Sequence, residues 1–73
     1  MKRIYNMENL DCANCAAKME AKIKKIPGVT AANVSFFAQK LVLEGEESRW
    51  DEILDAASRA ISSVDSDCRL LIK

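Results

Sequence analysis

The chain has 73 residues, of which 49% are hydrophobic and 30% charged, and 11 basic and 11 acidic residues leave a formal net charge of zero. This length allows one small core, so we expect residues 1–73 to form a single domain. The zero net charge argues against nucleic-acid binding, and the short apolar runs argue against a signal peptide or membrane-spanning segment. Three cysteines, an odd number, fit a reducing cytoplasm better than a disulfide scaffold.

The hydrophobic periodicity of the first half of the chain predicts a strand, a helix and a hairpin. The first strand covers residues 3–7. Apolar residues at helical spacing predict a helix over residues 14–26, which a Pro-Gly pair then ends. Alternating apolar residues predict two further strands around residues 32–36 and 41–43, joined as a hairpin.

The second half of the chain predicts one more helix and one more strand. After a turn at residues 44–47, residues 48–51 read Ser-Arg-Trp-Asp, the spacing of a capping box with Asp in place of the preferred Glu. The apolar side of the helix that follows carries Trp50, Ile53, Leu54, Ala57, Ile61 and Val64. A polar break over residues 62–67 separates it from a last strand over residues 68–73.

The predicted order is strand, helix, strand, strand, helix, strand. Right-handed crossovers in both strand–helix–strand units place the two helices on one face of a four-stranded antiparallel sheet. The predicted fold class is therefore α+β, a ferredoxin-like βαββαβ sandwich.

The motif with the most chemistry lies between the first strand and the first helix, where residues 10–15 read Leu-Asp-Cys-Ala-Asn-Cys. In the predicted fold, Cys15 lies in the first helical turn and Cys12 just ahead of it, where unpaired amides and the helix dipole lower a thiol pKa. Thiolates bind soft or borderline metal ions and also exchange disulfides. With no histidine and no second CxxC, a metal site here has few protein ligands and stays open, which suits passing an ion on.

This motif, together with Ile-Pro-Gly-Val at residues 26–29, resembles the heavy-metal-associated domain over essentially the whole chain. Members of that family occur as soluble metallochaperones and as N-terminal metal-binding modules of P-type heavy-metal ATPases. The resemblance implies that Cys12 and Cys15 bind the metal and that Leu10 is the buried apolar residue beneath the loop.

Asp11 distinguishes this chain from copper carriers, which usually have Gly-Met-Thr-Cys where it has Asn-Leu-Asp-Cys. An Asp before the first Cys resembles the zinc-, cadmium- and lead-exporting branch. Zn(II) and Cd(II) take more ligands than Cu(I) and accept a carboxylate oxygen, so Asp11 is a candidate third ligand. The alternative is that Asp11 caps the helix. Many copper chaperones have a Lys before the last strand, whereas residues 64–67 contain none.

The remaining conspicuous residues have structural interpretations. We expect Met7, Met19 and Cys68 in the core, and core or edge packing for three aromatic residues, Trp50, Phe36 and Phe37. The lysines of the first helix form a solvated face, or alternatively a docking patch for an acidic partner domain made of Lys18, Lys22 and Lys25.

We therefore expect a cytoplasmic binding module, not an enzyme by itself, that carries Zn(II), Cd(II) or Pb(II) and delivers it to, or regulates, a P-type metal-exporting ATPase on the same or a separate chain. We expect a monomer, with a metal-bridged dimer as the alternative, and neither nucleic-acid binding nor membrane insertion. A Cu(I) metallochaperone is one alternative function. Another, a CxxC thiol–disulfide oxidoreductase, is disfavoured because the chain lacks an aromatic-CxPC site and its one proline, Pro27, follows the first helix.

Overall fold

The computed structural model describes residues 1–71, so the predicted end of the last strand, Ile72 and Lys73, lies outside the described residues. In chain order the elements are β1 (Lys2–Glu8), α1 (Ala13–Lys24), β2 (Val29–Ser35), β3 (Lys40–Gly45), α2 (Trp50–Val64) and β4 (Arg69–Leu71). A 3-10 turn, Glu47–Arg49, precedes α2. The predicted element order and the ferredoxin-like α+β fold are confirmed.

The four strands form one antiparallel sheet in the order β2-β3-β1-β4. Asn6 pairs with Lys40 at the start of β3, and Glu8 pairs with Arg69 at the start of β4. The end of β1, the β2–β3 hairpin and the α2–β4 loop therefore meet at one end of the molecule. This end also holds the cysteine motif.

The core forms between one face of the sheet and the two helices. Tyr5 and Met7 face inward from β1, which confirms the prediction for Met7, while Ile4 on the opposite face is 60% exposed. The largest fully buried side chains come from both layers and the loops between them: Leu10, Met19, Ile23, Leu41, Leu43, Ile53, Ile61 and Cys68. Burying a Leu-sized side chain stabilises a fold by about 1.5–3 kcal/mol. Among residues 1–71 no charged side chain is buried, so this core does not depend on an ion pair.

One hydrogen bond inside the core joins the two layers. The indole N–H of Trp50, the first residue of α2, donates to the hydroxyl of Tyr5 in β1 at 3.0 Å. Both side chains are buried, so each polar group satisfies the other within an apolar surrounding.

The end of the molecule away from the cysteines is closed by two glycines. α1 ends at Lys24, two residues earlier than predicted, and Gly28 then turns the chain into β2 with φ +94°. A Cβ atom at Gly45 would lie 2.6 Å from the carbonyl oxygen of Gly28, so the backbones approach too closely there for any other residue.

The predicted start of the second helix was wrong. No capping box forms, because Ser48 lies inside the 3-10 turn and neither that turn nor α2 has a side-chain cap. α2 continues through Val64, the last residue predicted on its apolar side, so the polar break begins at residue 65 and not at residue 62. Ser62 and Ser63 lie on its exposed side, where serines do not interrupt an amphipathic helix.

The packing predicted for Phe37 was also wrong. Its side chain is 97% exposed at the tip of the β2–β3 hairpin, where its ring meets that of half-buried Phe36 edge-on at 5.8 Å. The inward predictions for Met7, Met19, Trp50 and Cys68 are confirmed. In the described part of the chain, neither helix has the length and apolar character needed to cross a membrane.

Candidate metal-binding site

The cysteine motif forms the connection between β1 and α1, as predicted. Cys12 is the N-cap residue of α1, with extended backbone angles, and its sulfur accepts a 3.2 Å hydrogen bond from the main-chain N–H of Cys15. The main-chain N–H of Ala16 closes the first helical bond on the Cys12 carbonyl at 3.0 Å. The alternative role of Asp11 as the helix cap is therefore wrong, because Cys12 occupies that position.

The two thiols differ in acidity although they belong to one short motif. Hydrogen bonds from the side chain and main chain of Cys15 lower the pKa of Cys12, and the charge of Lys18 adds to the effect. The hydrogen bond between the two side chains has the opposite effect on Cys15: together with burial and the negative charges of Cys12 and Asp65, it raises the pKa of Cys15. Cys12 is therefore the thiol that ionises first and offers the first anionic ligand.

The loop is attached to the sheet directly before the motif. The Leu10 side chain is 1% exposed, which confirms its predicted burial. Its main-chain N–H donates to the side-chain oxygen of Gln39 at 3.0 Å, and its carbonyl accepts a hydrogen bond from the Gln39 side-chain N–H. Gln39 lies in the β2–β3 hairpin at φ +55°, a conformation uncommon for a residue with a side chain.

A second attachment joins the loop to the α2–β4 connection. Asn9, at φ +62°, donates from its side-chain amide to the carbonyl of Asp67 at 3.2 Å. The main-chain N–H of Asp67 in turn donates to the Asp65 carboxylate at 3.0 Å. The backbone ahead of the cysteines is thus held from two sides before any ion is bound.

The sequence does not point to Gln39 or Asn9. Asn tolerates a positive φ, which is a weak signal for a turn at residue 9. The hairpin residues 36–39 lack the Gly and Asn that usually mark such a turn, and a Gln that reaches 29 positions along the chain has no short-range signature.

Cys68 lies beneath the motif, not in it. Its side chain is 1% exposed, and burial, followed by the charges of Asp65, Asp11 and Cys15, raises its pKa. The thiol therefore stays protonated and belongs to the core. Over the span 1–71, no group of three or more Cys, Asp or Glu side chains has the arrangement of a metal site, so the structure brings Cys12 and Cys15 together without a complete ligand set.

The facing loop and α1 supply the charges around the two thiols. Asp65 acts on Cys15 from the loop where copper chaperones often have a Lys, and Lys18 acts on both cysteines from α1. The other lysines of the suggested docking patch differ in setting, because Lys22 donates to the Ser63 hydroxyl at 2.8 Å whereas Lys25 is the C-cap of α1. The docking patch stays a prediction.

The sequence has matches in one family and its transport proteins. The sequence model of the heavy-metal-associated domain matches residues 4–66. A probable cadmium-transporting ATPase of Listeria monocytogenes is 49% identical over 47 residues, 64% of this chain and 7% of that protein. A cadmium, zinc and cobalt-transporting ATPase of Bacillus subtilis (strain 168) is 33% identical over 67 residues, 89% of this chain and 9% of that protein. The chain spans less than a tenth of the length of these curated relatives.

Solved structures share the whole fold. A CopZ metallochaperone has a TM-score of 0.76 at 22% identity and covers 97% of this chain and 100% of its own. PacS, N-terminal domain, from Synechocystis PCC6803 has a TM-score of 0.69 at 27% identity, with coverage of 99% and 98%. At 22% identity, the likeness to the CopZ metallochaperone concerns the fold alone and does not indicate which ion this chain binds.

Proposed function

Since this chain belongs to the heavy-metal-associated domain family, a family of metal-binding modules that are not catalytic by themselves, we propose that its cargo is a divalent soft or borderline ion, Zn(II), Cd(II) or Pb(II). Cys12 and Cys15 bind the ion, with Asp11 as a third ligand. The domain works in the cytoplasm and delivers the ion to, or regulates, a P-type metal-exporting ATPase of the same or a separate chain.

The observation that carries this proposal is the negative setting of an open dithiol. Two thiolates, with carboxylates at Asp11 and Asp65 nearby, outweigh the one positive charge of Lys18 and give more negative charge than a monovalent ion needs; the facing loop has no lysine. Divalent ions of the zinc group take thiolate and carboxylate ligands together. The relatives named as cadmium-transporting ATPases support the same choice.

A second candidate is a Cu(I) carrier, and one observation favours it. Within residues 1–71 no third Cys, Asp or Glu completes a ready-made metal site with the two cysteines. Two sulfur ligands satisfy Cu(I) but not Zn(II) or Cd(II). A divalent ion therefore requires Asp11 to turn inward, or water or a partner's side chain to complete its ligand shell.

The experiment that tests the proposal is a Cd(II) titration of the reduced protein, followed through thiolate-to-metal charge-transfer absorption. We expect saturation at one equivalent and loss of the band in the Cys12→Ser, Cys15→Ser double variant. Cys68→Ser is the matched control and should titrate like the wild type, because this thiol is buried in the core. A band that survives in the double variant would remove Cys12 and Cys15 from the site and implicate Cys68.

A further inference from the structure

The side chain of Gln39 makes an unusually complete set of contacts for a half-buried residue in a hairpin. Its amide nitrogen donates to the carbonyls of Leu10 and of Phe36, the latter at 2.8 Å, and its amide oxygen accepts from the Leu10 N–H at 3.0 Å. Its own carbonyl accepts the Met7 N–H at 2.7 Å. Both amide protons and the amide oxygen are therefore used.

These contacts give Leu10 the hydrogen bonds that a neighbouring strand would provide. β1 ends at Glu8 and Cys12 caps the start of α1, so the residues between them belong neither to the hydrogen-bond ladder of the sheet nor to the hydrogen bonds of the helix. The Gln39 amide binds the N–H and C=O of Leu10 together, as a paired residue of an antiparallel strand does. The chain two residues before Cys12 is thus fixed at its main chain by Gln39 and at its side chain by the core.

The conformation of Gln39 supports a specific use of this side chain. The residue lies at φ +55°, where a side chain costs free energy that glycine avoids, and the hairpin turns there without glycine. The cost is offset by three hydrogen bonds of the side-chain amide, which donates two and accepts one; two of the three join it to Leu10. A residue that only had to turn the hairpin would need neither the length of Gln nor its amide.

We propose that Gln39 is a positioning residue for the ion loop, a role that rests on the proposed metal-carrying function. By holding Leu10, Gln39 keeps the Cys12 thiolate in place, so that an incoming ion does not have to order the loop and a bound ion is released slowly. A loop that must be ordered on binding loses affinity through that ordering, and most of such a loss falls on the rate of dissociation.

Two substitutions remove the amide in different ways. Gln39→Glu keeps the shape, but its carboxylate donates no hydrogen bond and meets the carbonyls of Leu10 and Phe36 with a negative charge. Gln39→Gly removes the side chain and at the same time relieves the positive φ, so the fold tolerates it even where Glu is too disruptive. Ser35→Ala is the matched control, because it removes a hydrogen bond of the same hairpin, Ala38 N–H to Ser35 Oγ at 3.2 Å, that does not touch the ion loop.

The first measurement uses the metal-free protein, in which hydrogen exchange reports whether Gln39 protects the Leu10 amide. The second follows release of Cd(II) to excess chelator through decay of the charge-transfer band. In both Gln39 variants we expect Leu10 exchange and Cd(II) dissociation to accelerate by about fivefold to tenfold, the equivalent of one lost hydrogen bond. Ser35→Ala should match the wild type in both rates.

Release at the wild-type rate from both Gln39 variants, with faster Leu10 exchange, would reduce Gln39 to a purely structural role and overturn the inference. Equal acceleration in Ser35→Ala would overturn it too, because general weakening of the hairpin would then explain the result. Failure of the proposed metal-carrying function gives a different result, because the wild type itself would then show no charge-transfer band. That result overturns both the proposed function and the role of Gln39. A normal band with unchanged release overturns only the role of Gln39.

Discussion

The main-chain N–H of Cys15 points at the sulfur of Cys12, 3.2 Å away, so the first cysteine caps the helix that carries the second. A thiolate accepts such a bond better than a neutral thiol does. A hydrogen bond between the two thiols lowers the pKa of Cys12, and this main-chain N–H lowers it further. The bond between the thiols raises the pKa of Cys15. The two ligands of the proposed site are therefore chemically unequal before an ion arrives.

This inequality predicts an order of alkylation in the reduced, metal-free protein. At neutral pH iodoacetamide should react fastest with Cys12, more slowly with Cys15 and slowest with Cys68, which is buried and whose pKa is raised by burial. A thiol with a lowered pKa ionises at lower pH, and the thiolate is the form that reacts. As pH increases, the alkylation rate of Cys12 should therefore rise before that of Cys15. Fragment mass spectrometry of quenched samples measures the order. In concentrated urea the three rates should converge; equal rates in the folded protein contradict the prediction.

Asp11 separates divalent ions from Cu(I). Asp11→Ala should weaken Zn(II) and Cd(II) binding by about tenfold or more, comparable to the loss of a supporting group at a metal site, and Cu(I) binding by much less. Competition titrations with both classes of ion measure the two changes, with Asp67→Ala as a carboxylate control on the facing loop. Because Cys12 is the helix cap, the melting temperature should change little. Equal losses for both ions would remove Asp11 from the ligand set.

Ion loading should leave the fold unchanged. The core is complete without a metal, and Leu10 and Asn9 already anchor the loop. Amide NMR spectra of metal-free and Zn(II)-loaded protein should therefore differ only over residues 9–17 and 62–67. A carrier needs its scaffold before the ion arrives, unlike a zinc finger. A dispersed spectrum that appears only with Zn(II) would make the ion structural and contradict the carrier role.

Tyr5→Phe should destabilise the fold although it removes a single oxygen atom. The change leaves the indole N–H of Trp50 buried without an acceptor, which costs about 1–3 kcal/mol. Urea denaturation followed by circular dichroism measures the loss. In a Trp50→Phe background the same change should cost much less, because no donor remains. A cost that is equal in both backgrounds would assign the effect to something other than this hydrogen bond.

Gly45→Ala should cost about 1–3 kcal/mol, the usual range for an overpacked site. The new Cβ atom would lie 2.6 Å from the Gly28 carbonyl oxygen and 3.0 Å from a methyl group of Ile53, so the backbone has to move. Thermal denaturation by circular dichroism measures the change. Glu46→Ala, at the next residue and on the surface, should stay within about 0.5 kcal/mol. A stable Gly45→Ala protein would show that the two segments separate freely.

The parts of the structure that were predictable from the sequence depend on short-range signals. The period-2 and period-3.6 patterns predicted the elements, and the placement of Cys12 before the helix and Cys15 in its first turn followed from them. The capping box at residues 48–51 failed because the buried Trp50 begins α2 from a preceding 3-10 turn, a tertiary requirement that outweighed a local motif.

The features that were not predictable join residues far apart in the chain. Gln39 reaches Leu10 across 29 positions, and Asn9 reaches Asp67 across 58. In each of these bonds one partner is a main-chain group. Every residue type carries such a group, so the sequence does not indicate which residue the side chain will bind. The prediction for Phe37 was wrong for a related reason. An aromatic residue in a hairpin favours a core position, and only the packing of the neighbouring strands decides whether its side chain faces the core or solvent.

The position of Trp50 gives this protein a built-in optical probe. The indole is the single tryptophan of the chain, is 8% exposed and lies at the first residue of α2, whereas the last residue of that helix borders the loop that faces the cysteines. A 15-residue helix is about 20 Å long, so the fluorophore is remote from the dithiol. Its emission should therefore change when the Tyr5 contact is lost on unfolding but not when an ion binds. Tryptophan fluorescence then reports folding, and the charge-transfer band reports ion occupancy, as two independent signals from the same sample.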